Sequence, residues 1–91
     1  LKYLVTYDIM CDKTRDKVAA CLEDFGDRVQ LSVFEVDVDA ALYQRMVTRL
    51  KSLIDPEKDS VRIYPICASC AGKLTVLGVA QVVGDPEVIV I

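Results

Sequence analysis

Residues 28–38, RVQLSVFEVDV, favour extended structure throughout but cannot lie as one flat strand. Side chains alternate faces along a strand. Val29, Leu31, Val33, Glu35 and Asp37 therefore share one side, and Gln30, Ser32, Phe34, Val36 and Val38 the other. The apolar set changes sides near Val33–Phe34, and a slip of one residue is what exchanges faces. The segment is predicted as two short strands or one kinked strand, with a bulge or bend close to Ser32.

Periodic segments flank this region on both sides. Lys2 to Tyr7 is rich in β-branched and aromatic residues and reads as a strand that ends in Asp8. A helix follows, with Asp12 as its expected N-cap and Val18, Cys21, Leu22 and Phe25 spaced at i, i+3, i+4 and i+7. Gly26 stands where a helix ends most easily in a left-handed conformation. Asp39 is the next N-cap, and Leu42, Met46, Leu50 and Leu53, with Val47 and Ile54, mark a second helix. That helix stops at Asp55-Pro56, because the residue before proline is pushed out of helical geometry. Ser60 to Ile66 is a strand, and Pro65 suits an edge position or the strand's end. Leu74 to Val83 reads as extended with an interruption at Gly78, Gly84-Asp85-Pro86 as a turn, and EVIVI as an extended apolar tail. The order β-α-β-β-α-β predicts an α+β, ferredoxin-like antiparallel sheet with two helices on one face.

A chain of 91 residues makes one domain with a barely sufficient core, yet 53% of it is apolar. Surplus apolar surface in so small a chain suggests a second copy. The apolar tail should fray unless tied down, and adding it as a strand to another copy's sheet would hold it. The formal charge of −3 excludes nucleic-acid binding through net charge and requires a local basic patch instead. No apolar run approaches the roughly 18 residues of a membrane span, and LKYLVTY is broken too early by Asp8 to act as a secretory leader. A reducing cytoplasm with free thiols is the expected setting for the four cysteines. Cys21 falls on the apolar helix face. Cys67-Ala-Ser-Cys70 has metal-ligand spacing, but zinc would need Cys11 or a second chain to complete its ligands.

The chain has no histidine, which removes Ser-His-Asp and Cys-His chemistry and any histidine base. Neither a P-loop nor a GxGxxG motif is present. Carboxylate chemistry with a hard cation remains, and Mg²⁺ commonly binds through one or two carboxylates plus substrate phosphates. Asp8 alone is a poor metal site, but a two-fold axis beside it would supply a second Asp8. The plainer reading makes Asp8 an exposed turn residue. Lys13, Arg15 and Lys17 alternate with Asp12 and Asp16, either as a solvated helix face or as a phosphate-binding edge in which Arg15 offers bidentate contact. Arg28 and Phe34 together suggest phosphate contact with base stacking, or else core and interface packing.

YLVTYD at 3–8, the RDKV helix entry, the helix end LEDFG, RVQLSVFEVDV at 28–38 and YPICASCAGKLTVLG at 64–78 together resemble the CRISPR-associated protein 2 family. The resemblance runs from about Lys2 to Gly78. It implies a ferredoxin-like domain over residues 1–78 and an extension over 79–91 whose strand crosses to the partner in a homodimer. It implies Asp8 near the dyad as the ligand of a shared Mg²⁺, with Tyr7, Arg15, Arg28 and Phe34 contributing to metal-dependent cleavage of single-stranded RNA or double-stranded DNA. Lys17 stands where some relatives carry arginine, and joins Arg15 and Arg28 as a nucleic-acid contact. The resemblance also implies a role in spacer acquisition beside the CRISPR-associated protein 1 integrase. There the dimer would act either as an endonuclease or as a non-catalytic DNA-spanning scaffold. A third class, ligand sensing, is open to the fold, but no Gly-rich ligand loop supports it.

Overall fold

The first strand, β1 (Lys2–Asp8), has hydrogen-bonded neighbours on both edges. Its alternation is read directly in burial: Val5 and Tyr7 are buried, whereas Asp8 is exposed. A computed structural model of the chain describes residues 1–78 and 89–90. After β1 come α1 (Asp12–Glu23), β2 (Gly26–Gln30), β3 (Val33–Asp37), α2 (Ala40–Leu53) and β4 (Ser60–Ile66). The sheet order is β2-β3-β1-β4, with every neighbouring pair antiparallel. This is the expected ferredoxin-like arrangement.

The helices cover one face of the sheet. Val18, Cys21 and Leu22 of α1 and Met46 and Leu50 of α2 join Val5, Tyr7, Phe34 and Val36 of the sheet in a single buried cluster. In the register, Val5 stands opposite both Phe34 and Ile63, so β1 feeds the centre of this core from both sides. The other face carries Lys2, Leu4, Thr6 and Asp8 from β1 and lies opposite the side that packs on α1 and α2.

Residues 28–38 resolve into two strands and also contain a bulge. β2 and β3 pair with a register shift between Arg28 and Gln30, and Leu31 and Ser32 form the turn. The Ser32 carbonyl accepts the Tyr7 backbone N–H at 3.1 Å, which anchors the turn to β1. Asp39 caps α2 as expected, its Oδ1 accepting the Leu42 N–H at 2.8 Å. Beyond α2, Ile54 is extended, and the Asp55 carboxylate accepts the Glu57 N–H at 3.0 Å in the turn that proline enforces. β4 lies on the sheet edge, where Pro65 leaves no ladder partner deprived of a donor.

Two local expectations are corrected. Cys11, not Asp12, occupies the capping position of α1; Asp12 is the first helical residue and pairs with Arg15 one turn on. Gly26 does not end the helix in left-handed geometry, because α1 closes at Asp24 in right-handed geometry and Gly26 already opens β2. Glycine is needed there for close approach. A Cβ at residue 26 would sit 2.6 Å from Val36 Cγ1 and 2.8 Å from Val36 Cα, and would collide with the Glu35 carbonyl oxygen.

Past β4 comes a short helix, α3 (Ala68–Ala71), which the sequence reading does not contain, and β5 (Thr75–Val76) falls within the extended run expected over 74–83, of which residues 79–83 lie outside the described residues. Gly78 adopts φ +81°, consistent with the expected interruption. β6 (Ile89–Val90) pairs in parallel with β5. The turn at residues 84–86 and most of the segment expected to cross to a partner lie outside the described residues. Among the described residues, no helix is long and apolar enough to cross a membrane.

Gly26→Ala should lower unfolding stability by about 1–3 kcal/mol, the usual cost of inserting a methyl group into a closed contact. Urea unfolding followed by circular dichroism measures it.

Candidate nucleic-acid site at the end of β1

Asp8 reaches the surface because β1 alternates. With Tyr3, Val5 and Tyr7 turned toward the helices, Asp8 falls on the open face with Lys2, Leu4 and Thr6. It is exposed and stands opposite Ser60 of β4. Thr6, one step back on the same face, stands opposite Arg62, and Leu4 opposite Tyr64. Arg62 is thus diagonal to Asp8, a relation that places residues about 7–8 Å apart, within reach of a long side chain. Arg62 Nη1 donates to Tyr64 Oη at 3.3 Å, and this bond raises the guanidinium pKa further. Among the described residues Arg62 joins no ion pair, so its charge is not neutralised by a neighbouring acid.

The other candidates stand elsewhere. Tyr7 and Phe34 lie on the helix-covered face, Tyr7 6% exposed and Phe34 0%. Tyr7 Oη donates to the Leu31 carbonyl at 3.1 Å and accepts from Arg28 Nη2 at 3.4 Å. The Arg28 guanidinium lies 5.3 Å from the Phe34 ring centroid, a cation–π contact. Phe34 therefore presents no face to a nucleic-acid base; it supports Arg28 from beneath. Arg28 itself is exposed at the sheet edge, so its charge stays available to solvent.

Arg15 serves the β1–α1 connection. Its Nη1 donates to the carbonyl of Ile9, the residue after Asp8, at 3.0 Å, and its Nη2 pairs with Asp12. This bracket fixes the chain as it leaves Asp8 and spends much of the charge that phosphate would require. Lys17 is exposed and outside the ion pairs of the described residues.

The structure thus separates the candidates into an Asp8 group on the open face and a Tyr7–Arg28–Phe34 unit on the other side of the sheet, with Arg15 bridging at the strand end. Arg62 and Tyr64 were not singled out from the sequence. The alternation of SVRIYPI puts them on one side of their strand, but only the β1–β4 register reveals that this side belongs to Asp8. Among the described residues, no three His, Cys, Asp or Glu side chains gather as a metal site. A cation held by Asp8 would need donors from a second copy, water or a phosphate.

The sequence and the fold are similar to those of known proteins. The family model described as CRISPR associated protein Cas2 matches residues 1–74. The chain belongs to the Cas2 family. A relative from Rhodospirillum rubrum, named CRISPR-associated endoribonuclease Cas2 4, is 48% identical over 91 residues, covering 98% of this chain and 73% of its own. Another from Thermus thermophilus, named CRISPR-associated endonuclease Cas2 2, is 46% identical over 77 residues, covering 85% of this chain and 81% of its own. In three dimensions, the crystal structure of a hypothetical protein from Thermus thermophilus superimposes with a TM-score of 0.81 at 41% identity, covering 89% of this chain and 94% of that one. Streptococcus pyogenes Cas2 at pH 6.5 superimposes with a TM-score of 0.70 at 38% identity, covering 74% and 87%. The stretch matched to the Cas2 family contains Asp8, Arg15, Arg28, Phe34 and Arg62.

Tyr7→Phe removes the hydroxyl shared by the Leu31 carbonyl and Arg28. It should cost about 1 kcal/mol of unfolding free energy, read from the shift in urea midpoint at unchanged slope.

Proposed function

We propose that this chain is a CRISPR-associated endonuclease that hydrolyses phosphodiester bonds at Asp8 and acts in spacer acquisition. The observation that carries this reading is the placement of Asp8: an exposed carboxylate at the end of a central strand, on the sheet face opposite α1 and α2, with Arg62 on the same face. The names of the relatives, endoribonuclease and endonuclease, favour the same chemistry.

The open face also carries the partly buried Leu4, Val33 and Ile66 and the exposed Tyr64. A second copy packed there would cover these apolar groups and form the homodimer expected from the apolar composition. It would also bring a second Asp8 to the first. Two carboxylates held close repel unless a cation or proton lies between them. Mg²⁺ suits such an all-oxygen set, and when bound it would polarise a phosphoryl oxygen and acidify a water molecule.

The chain's own residues do the remaining work. Asp8 would hold the cation and orient its waters. Arg62, kept in place by Tyr64, would contact a phosphate beside the scissile bond. Arg15 would set the position of Asp8 through the Ile9 carbonyl. Arg28, Lys17 and Lys13 would guide the strand along the outer edges. This assigns the proximal phosphate to Arg62 rather than to Arg15, whose guanidinium is already committed. A DNA-spanning scaffold beside the CRISPR-associated protein 1 integrase is the second reading, favoured by the exposed Lys13 and Lys17 on α1.

Cleavage of labelled single-stranded RNA and duplex DNA, with Mg²⁺ or EDTA, distinguishes the two. The endonuclease reading expects Mg²⁺-dependent cutting that falls about a hundredfold or more in Asp8→Asn, the scale on which loss of a charge-stabilising group acts. The variant must still sediment with the mass of the wild type. Equal cutting by both proteins, or none by either, assigns the surface to the scaffold role.

Arg62→Ala should weaken binding of single-stranded RNA in the Asp8→Asn background. It should also reduce the slope of log affinity against log salt by about 0.7 of a unit, the signature of one lost phosphate contact on a single strand. An unchanged slope would remove Arg62 from the site.

A further inference from the structure

The motif Cys67-Ala-Ser-Cys70 remains outside the site described above, and the structure gives it a definite geometry. Cys67 is extended at the cap of α3, with φ −68° and ψ 156°, and its Sγ accepts the backbone N–H of Cys70 at 3.4 Å. Both thiols are exposed and free. Ala68 and Ala71, the residues between and after them, line a recess with Lys2, Asp37 and Ile66 beside the end of the sheet. The cysteines are left facing outward, where a packing role does not account for them.

Cysteines at i and i+3 of a helical turn lie about 5–6 Å apart at Cα, within the range a disulfide spans without moving the backbone. The pair is also chemically asymmetric. The Cys70 N–H, followed by the Cys70 thiol, donates to the Cys67 sulfur and holds its pKa below that of an ordinary thiol. The same contact, with the neighbouring sulfur's charge, pushes Cys70 up. Near neutral pH Cys67 is thus the better supplied with thiolate, the form that attacks disulfides. The other two cysteines lack this arrangement. Cys21 is buried, and burial raises its thiol. Cys11 is exposed at the start of α1 with its pKa lowered mainly by the Thr14 N–H, but no second thiol joins it in a pair.

We propose that Cys67 and Cys70 form a redox-active dithiol that exchanges with the disulfide of a small thiol of the glutathione class. The Cys67 thiolate attacks one sulfur of the small-molecule disulfide, forming a mixed disulfide and releasing one thiolate. Cys70 then gives up its proton to solvent and attacks Cys67 Sγ, closing the Cys67–Cys70 bond and releasing the second thiolate. Two protein thiols are oxidised and one small disulfide is reduced to two thiols. The reverse sequence restores the dithiol when the reduced small thiol is in excess.

The test treats the intact chain with glutathione disulfide at neutral pH, quenches with an alkylating agent and maps the peptides by mass. Wild-type protein should lose two hydrogens across residues 67–70 and carry no glutathione there, while Cys11 in the same sample retains an adduct as internal control. Cys70→Ser should accumulate glutathione on Cys67. Cys67→Ser should react at Cys70 several-fold more slowly than Cys70→Ser reacts at Cys67. Alkylation of both thiols under conditions that modify Cys11 overturns the proposal, as does a stable glutathione adduct on wild-type Cys67. Equal rates in the two single variants overturn the assignment of Cys67 as nucleophile. Thiols that react only after a chelator is added would mark a metal-bound cluster and overturn the dithiol as well.

Discussion

β1 is the constraint on which this molecule depends. It is hydrogen-bonded to β3 along one edge and β4 along the other, so neither its register nor its rotation is free. Burying Val5 and Tyr7 beneath the helices costs nothing further in specificity, because a slip of one residue would expose both and bury Lys2 and Thr6 instead. That same alternation turns Asp8 outward. The core therefore orients the candidate site: the apolar preference of three alternate positions determines the side of the sheet on which the carboxylate stands.

The Tyr7 hydroxyl carries this order to the sheet edge. It bonds the Leu31 carbonyl in the β2–β3 turn and receives the Arg28 guanidinium, which rests over Phe34. One buried phenol thus joins the central strand, the turn and an exposed cation. Arg15 performs a related task at the strand's end by bracketing the Ile9 carbonyl and Asp12. Residues that read as a nucleic-acid contact set are in large part the framework that holds the end of β1 in place. In this arrangement, mutation of such a residue would disturb the end of β1 without the side chain touching a ligand.

Much of this was legible in the chain. The helices followed from apolar spacing at Val18, Cys21 and Leu22 and at Met46 and Leu50, and the Asp39 cap followed from a short acceptor before an apolar run. The side-switch at Val33–Phe34 announced the β2–β3 turn. Three local readings failed for identifiable reasons. Asp12 had a guanidinium one turn away and bonded that instead of capping. Gly26 was excused its side chain by a backbone pressed against it, a contact made by residues nine and ten positions later in the chain. The short helix at Ala68–Ala71 is too brief to show any periodicity.

The sequence by itself determined the order of the elements from β1 to β4, the acidic strand end and the lack of any histidine among these residues, because these depend on residue identity and on neighbours within a turn or two. The tertiary structure decided which charged groups share a surface. Arg62 shares a sheet face with Asp8 only through the β1–β4 register, and Phe34 is ruled out as a base-stacking group only because α1 and α2 close over it. Strand pairing joins residues more than fifty positions apart, and no local propensity encodes which two will face one another.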